Sequence, residues 1–306
     1  MAKASIPVDL FNPGQVFACL GFLEAADVLL GDAEGGFDWS SEADVRFLLR
    51  TAGDENPVAV VLAFLATARV LSQAPKGSRN STIRWQVPTE VLGDNMPFPF
   101  PDPPSPATLP AILERPAASV SGTARLCIEH WGEPEATGRD PVKFWGGSAG
   151  YPGAALARDA LSLVRDQCLA AVSDPFNLRA EQSSSFRFDW RRDYIPIDAG
   201  FSLNSHSGRI AAVGFPLVEM FAALGLSNAR PTKLDHLQYR YGVIGTSRAA
   251  MGGLTGHSFF APNLLRAALG GSVLPFPRRS FRMRLGWPGK EGQARAITTV
   301  TEEAAR

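Results

Sequence analysis

The apolar positions of residues 12–31, NPGQVFACLGFLEAADVLLG, recur at helical spacing, and only two acids interrupt them. Apolar residues at i, i+3, i+4 and i+7 are typical of a helix with a packed face. Pro13 suits the first helical position, and Asn12 predicts an N-cap whose side chain accepts a backbone hydrogen bond. Gly31 marks the expected end. We therefore predict a helix that is mostly buried in the core.

The same spacing predicts a second apolar helix over 216–226, which we expect to pack near the first. Start signals followed by apolar periodicity predict four more helices. They are a helix from Ser40 or Ser41 through Leu48, one from Asn56 and Pro57 through Val70, one over 151–172 and a short one over 263–269.

Alternation of apolar and polar residues predicts strands. These strands are 6–10, 82–87, 125–131, 142–145, 186–194, 237–243, 280–285 and 294–301. The segment WPGKEG joins the last two and predicts a hairpin. Helices mixed with antiparallel hairpins predict an α+β fold around one large core, which is compatible with ferredoxin-like elements. The sequence contains no internal repeat.

The stretch MPFPFPDPPSPATLP, residues 96–110, is nearly half proline and predicts an extended loop. It divides the chain into an N-terminal helical part over 1–95, a proline-rich loop over 96–122 and an α+β part over 123–306 that ends in a basic hairpin. One continuous domain is the alternative division.

The composition is that of a globular protein, since 45% of the 306 residues are hydrophobic and 20% are charged. No cationic segment followed by an apolar run and a cleavage site opens the chain, and no apolar run reaches the ~20 residues of a membrane span. Cys19, Cys127 and Cys168 are odd in number and lack metal-ligand spacing. We predict a cytoplasmic protein without membrane association.

Charge is distributed unevenly, although the net charge is zero. The first 60 residues hold ten acids against three bases, whereas the chain from Arg230 onward holds twelve bases against four acids. Such asymmetry suits a protein whose basic end meets a polyanion. Ion pairs between the two ends across the fold are an equally weighted interpretation.

The segment GGSAG, residues 146–150, matches G-x-S-x-G, the turn that presents the nucleophile of α/β-hydrolases. A hydrolase built on Ser148 would also need an acid and then a histidine downstream. His206, His236 and His257 follow, but none stands in a pattern that marks a base. An ordinary flexible turn has the same composition, so the hydrolase is the alternative function, and we predict no catalytic residue.

Metal and cofactor motifs are also missing from the sequence. The four histidines are isolated from one another and from any cysteine pair. No glycine-rich loop is followed by the Lys-Ser/Thr of a phosphate-binding loop. We therefore predict neither a metal nor a cofactor.

Contact with nucleic acid is the chemistry that the sequence supports best. Arg278, Arg282 and Arg284 would project from one face of the last hairpin, with apolar residues on the other. Neighbouring arginines ~6.6–6.8 Å apart would lie close to the phosphate spacing of an extended strand, and guanidinium groups grip phosphate oxygens. The remaining candidate nucleic-acid-binding residues are Arg187, Arg191, Lys143 and Trp145. Core aromatics and solvated surface charges are the competing interpretations.

The opening NPGQVFACLGFLEAAD resembles the N-terminus of a small effector-subunit family of CRISPR type I-U (also called I-G) loci. Three later stretches fit the same family, namely KFWGG at 143–147, FRFDWRRDYIPIDAGFS at 186–202 and FPLVEMFAALGLSNARP at 215–231. The resemblance implies a non-enzymatic subunit of an RNA-guided DNA surveillance complex, Cascade. Its partners would be guide RNA, target DNA and the other effector-complex subunits.

Overall fold

The computed structural model describes residues 1–93, 98, 105–116, 124–129, 151–182, 184–192, 212–247, 258–286 and 295–304. Within these ranges the chain forms five α-helices and thirteen strands, so the predicted α+β class is confirmed. The helices are α1 (Pro13–Leu30), α2 (Pro57–Thr67), α3 (Gly153–Val164), α4 (Pro216–Asn228) and α5 (Pro262–Leu269).

The strands up to the proline-rich stretch are β1 (Ala2–Pro7), β2 (Glu34–Trp39), β3 (Arg46–Thr51), β4 (Arg69–Ala74) and β5 (Thr89–Val91). Short strands follow at β6 (Ala111–Glu114), β7 (Arg125–Ile128), β8 (Ala180–Glu181), β9 (Val213–Gly214) and β10 (Thr232–Asp235). The chain then forms its three longest strands, β11 (Gln238–Ser247), β12 (Arg278–Gly286) and β13 (Ala296–Glu303).

The largest sheet has the order β1-β3-β2-β11-β12-β13, and β10 pairs with β11 beside it. Its pairs are antiparallel except β2 with β11, which is parallel. Strands from both sides of the proline-rich stretch therefore share one sheet. A second sheet has the order β5-β4-β6-β7, and β8 pairs with β9.

The first six elements follow the order β-α-β-β-α-β of a ferredoxin-like unit. As in that unit, β3 lies between β1 and β2 and runs antiparallel to both. β4 departs from the pattern, because it joins the second sheet instead of pairing with β1. The ferredoxin-like element is therefore limited to β1, α1, β2 and β3.

α1 and α4 pack against each other at the centre of the core, as the sequence predicts. Gly21 lies against the carbonyl of Phe221, and Gly225 lies against the carbonyl of Phe17. The rings of Phe22 and Phe221 stack with centroids 3.8 Å apart. α1 has the length and composition that a membrane span needs, and 78% of it is buried inside the protein.

Asn56 begins α2 as predicted, since its Oδ1 accepts hydrogen bonds from Val58 N at 2.9 Å and Ala59 N at 3.1 Å. Asn12 precedes α1, but the prediction that its side chain caps the helix is wrong. Its Nδ2 instead donates to Asp189 Oδ1 at 2.9 Å.

Three predicted elements take another structure. Residues 40–48 do not form a helix, because Phe47 points inward from β3 and packs on Phe37 of β2, with ring centroids 5.0 Å apart. A short 3₁₀ turn, Ile83–Trp85, replaces the strand predicted over 82–87. The predicted strand over 186–194 is irregular up to residue 189 and then a 3₁₀ turn, Trp190–Arg192.

Candidate nucleic-acid interface

The predicted basic hairpin is formed by β12 and β13, and β11 pairs with the other edge of β12. Phe281, Met283 and Leu285 are buried, whereas Arg282 and Arg284 are exposed, so β12 alternates as its sequence predicts. The buried side packs on the start of the chain, where the ring of Phe281 lies 5.2 Å from that of Phe11.

The register places Arg240 of β11 opposite Arg282, and Arg282 opposite Thr301 of β13. Ser280 lies opposite Glu303 on the same side of the sheet. We call this side the basic face and define it by its described residues Arg240, Arg278, Ser280, Arg282, Arg284, Thr301 and Glu303. It joins residues that are up to 63 positions apart in the chain.

Glu303 neutralises the centre of the basic face. Its carboxylate accepts hydrogen bonds from Arg240, whose Nη2 lies 3.0 Å from Oε1, and from Arg282, whose Nη2 lies 2.9 Å from Oε1. The hydrogen bond from Arg240 lowers the pKa of Glu303, and the same contact raises the pKa of Arg240. Both groups therefore stay charged at neutral pH, and Arg282 is already paired.

The two ends of the face keep cations without a carboxylate partner. Arg284 is exposed, and among the described residues no hydrogen bond or ion pair engages its guanidinium. Nη1 of Arg278 lies 3.4 Å from the carbonyl oxygen of Ser272, a weak contact, and within the described ranges no carboxylate reaches this residue. Of the three arginines predicted on this strand, these two are available to bind an anion.

Arg279 occupies the opposite side of β12 and is bound on two sides. It donates to both carboxylate oxygens of Glu302, at 2.6 and 2.7 Å, and Nη1 lies 3.2 Å from Glu42 Oε2. Arg266 of α5 is likewise paired with Glu24 of α1. Ion pairs thus join the acidic N-terminal part to the basic C-terminal part, which supports the compensating-pair interpretation for these residues.

Arg191 is hydrogen-bonded to groups of the core. It donates from Nε and Nη2 to the buried carboxylate of Asp189, at 2.9 and 2.5 Å, and Nη2 also reaches Phe176 O at 2.8 Å. Arg187 is half-buried with a φ of 66°, between the fully buried Phe186 and Phe188. Neither arginine is part of the basic face, and the competing prediction of core aromatics is confirmed for the two phenylalanines.

The other sequence candidates, Lys143, Trp145 and the hydrolase candidate Ser148, lie outside the described residues. Among the residues that the structure does describe, no group of three or more His, Cys, Asp or Glu side chains could hold a metal ion. Cys19, Cys127 and Cys168 are free thiols, and burial raises the pKa of each.

The alternation of residues along β12 does not identify Arg240 as part of the basic face. The alternation in QYRYG, residues 238–242, places Arg240 opposite to its two tyrosine neighbours. The sequence does not reveal which strand pairs with it, because the register between β11 and β12 is set by tertiary packing.

Comparison of the chain with protein-family models, with curated proteins and with solved structures found no match. What the basic face can do therefore follows from its own side chains. It offers two guanidinium groups at its ends that have no carboxylate partner within the described ranges, and an arginine–glutamate cluster at its centre. This arrangement suits an extended anion.

Proposed function

We propose that this protein is a non-enzymatic subunit of a type I CRISPR surveillance complex, Cascade, in the cytoplasm. It would hold the backbone of guide RNA, target DNA or both on the basic face and would dock onto neighbouring subunits. In such complexes guide–target pairing reads the sequence, and protein subunits supply contacts to the backbone. The resemblance of residues 12–27 and of the three later stretches supports the choice of complex.

The observation that carries the proposal is the pair of arginines, Arg278 and Arg284, which lie on one side of β12 and have no carboxylate partner among the described residues. Arg284 lies six positions after Arg278 on the strand, a distance of about 20 Å. That span fits several successive phosphates of one strand. Arg240 and Arg282 lie between them and would supply further contacts once Glu303 is displaced.

The double variant Arg278→Ala, Arg284→Ala is expected to weaken binding of single-stranded RNA and DNA about tenfold at low salt, equally for unrelated sequences. Loss of two phosphate contacts should flatten the plot of log affinity against log salt by about 1.4 units. Fluorescence anisotropy with labelled oligonucleotides across a salt series measures both quantities.

The matched control is Arg79→Ala, Arg84→Ala, which removes two exposed arginines outside the basic face. It should leave affinity and salt slope unchanged, and neither double variant should shift the melting temperature much. Wild-type affinity and slope in the Arg278, Arg284 variant would disprove phosphate binding by this face. Membership of the complex has its own test, since the protein purified from its host should carry a guide RNA.

Glu303→Gln is expected to strengthen nucleic-acid binding several-fold at pH 7, because Arg240 and Arg282 are then free of a competing carboxylate. The pKa of Glu303 in the folded protein is lowered from its ordinary value of about 4.5. In the wild type the ionised carboxylate therefore competes with phosphate for the two arginines until the pH falls below that value. As the pH falls through the lowered pKa, the wild-type carboxylate is protonated and the two proteins should converge.

The control for this variant is Glu90→Gln, since Glu90 is paired with Arg125 in the second sheet. Its affinity for the same oligonucleotides should equal that of the wild type. Unchanged or weaker binding by Glu303→Gln would mean that Glu303 does not compete with phosphate for the two arginines.

A further inference from the structure

A cleft of about 680 Å³ opens beside the basic face, between the sheet and the loop that joins α5 to β12. Arg240, Arg278 and Ser280 line its sheet side. Val273 and Phe276 line its loop side, together with Leu274. Arg279, Glu302 and Glu303 also line the cleft, so its sheet side carries arginine–glutamate pairs as well as Arg278. Its loop side is apolar, and its volume is in the range of small-ligand sites.

The apolar wall is anchored but accessible. Phe276 packs on Phe260 with ring centroids 4.8 Å apart, and Leu274 also packs against the core. Val273 is 83% exposed, the highest value among the exposed large hydrophobic residues of the described chain. A lone exposed valine is ordinary on a protein surface, but this one lines a cleft that Arg240 and Arg278 also line.

Among the described charged side chains that line the cleft, Arg278 is available to bind an anion. Glu302 is bound by Arg279, and Glu303 is bound by Arg240 and Arg282. Arg278 has no carboxylate partner among the described residues, and it lies on the same strand face that continues to Arg284. An anionic group at Arg278 would thus be continuous with a backbone that follows the basic face.

We propose that the cleft seats one base of a single-stranded segment, with the base against Val273 and Leu274 and its phosphate on Arg278. This inference rests on the proposed backbone binding by the basic face. Bases of a duplex are paired and stacked inside the helix, whereas bases of a single strand can turn onto an apolar or aromatic surface. An apolar wall beside a phosphate-binding arginine therefore selects single strands.

The test compares the full-length protein with two labelled oligonucleotides, dT12 and a 12-mer of abasic sites with the same backbone. Burial of one face of a base against apolar side chains should make dT12 bind about tenfold more tightly than the abasic strand. Val273→Ser should weaken binding of dT12 about threefold and leave the abasic strand unaffected. Val91→Ser is the matched control, because Val91 is an exposed valine of the second sheet, and it should change neither affinity.

The outcomes separate this inference from the proposed function. Equal affinities for dT12 and the abasic strand, both reduced by Arg284→Ala, would overturn the base site and keep the backbone face. Tenfold preference for dT12 that Val273→Ser leaves intact would place the base elsewhere and also overturn the inference. Affinities unaffected by Arg284→Ala, or absence of binding to either strand at low salt, would overturn the backbone face itself.

Discussion

Gly21→Val is expected to destabilise the protein by about 3 kcal/mol or more, a large part of the 5–15 kcal/mol that holds a typical domain folded. A Cβ on Gly21 would overlap the carbonyl oxygen of Phe221 in α4. Backbone atoms of a packed helix cannot rotate away as a side chain can, so α1 and α4 would have to separate. That separation would open the stack of Phe22 on Phe221.

Chemical denaturation followed by circular dichroism measures this loss as a lower urea midpoint. Gly93→Val is the matched control, because Gly93 is exposed and a Cβ there meets no atom within 4 Å. The control should unfold at nearly the wild-type urea concentration. A wild-type midpoint for Gly21→Val would mean that α1 and α4 do not meet through their backbones at this point.

Asp189→Ala is expected to cost about 3 kcal/mol of unfolding free energy, because it leaves Arg191 and the buried Nδ2 of Asn12 without their acceptor. The carboxylate is fully buried and connects the segment around residue 190 to the start of α1. The half-buried Arg191 loses its counter-charge, and the buried amide of Asn12 is left unsatisfied, which costs more than its hydrogen bond contributed.

Asp44→Ala is the control for this variant, as Asp44 forms an exposed ion pair with Arg46. Exposed pairs contribute about 1 kcal/mol or less, so this variant should unfold close to the wild type. If Asp189→Ala were no less stable than Asp44→Ala in thermal melts, the buried network would not hold the start of α1 in place.

The helices were largely predictable because their signals are local. Asn56 and Pro57 specify the start of α2, and the apolar spacing of residues 12–31 specifies α1. On the basic face, the alternation of β12 correctly indicates which arginines are exposed. Each of these signals is contained within about 20 consecutive residues, so no knowledge of the tertiary fold is required.

The incorrect predictions of secondary structure concern residues whose structure depends on partners that are distant in the sequence. β2, with the sequence EGGFDW, has two glycines and little strand propensity, yet it forms a strand. Gly35 accommodates the ring of Phe47, and Gly36 accommodates the backbone at Ser258, more than 200 residues away. In the segment around Asp189 the alternation is real, but buried hydrogen bonds to Asn12 and Glu219 replace sheet pairing.

The cleft and Arg240 could not be predicted for the same reason. Val273, Arg278 and Arg240 meet only because α5, β11 and β12 pack together. Their charges and apolar groups are visible in the sequence, but no local pattern assigns them to one surface.

The parallel pairing of β2 with β11 also determines when the main sheet can be completed during synthesis. β2 leaves the ribosome roughly 200 residues before its partner strand does. At typical translation rates its open edge waits about 10–40 s for β11. An unpaired strand edge is a site for aggregation, so the nascent N-terminal half is exposed to this hazard until the C-terminal strands emerge.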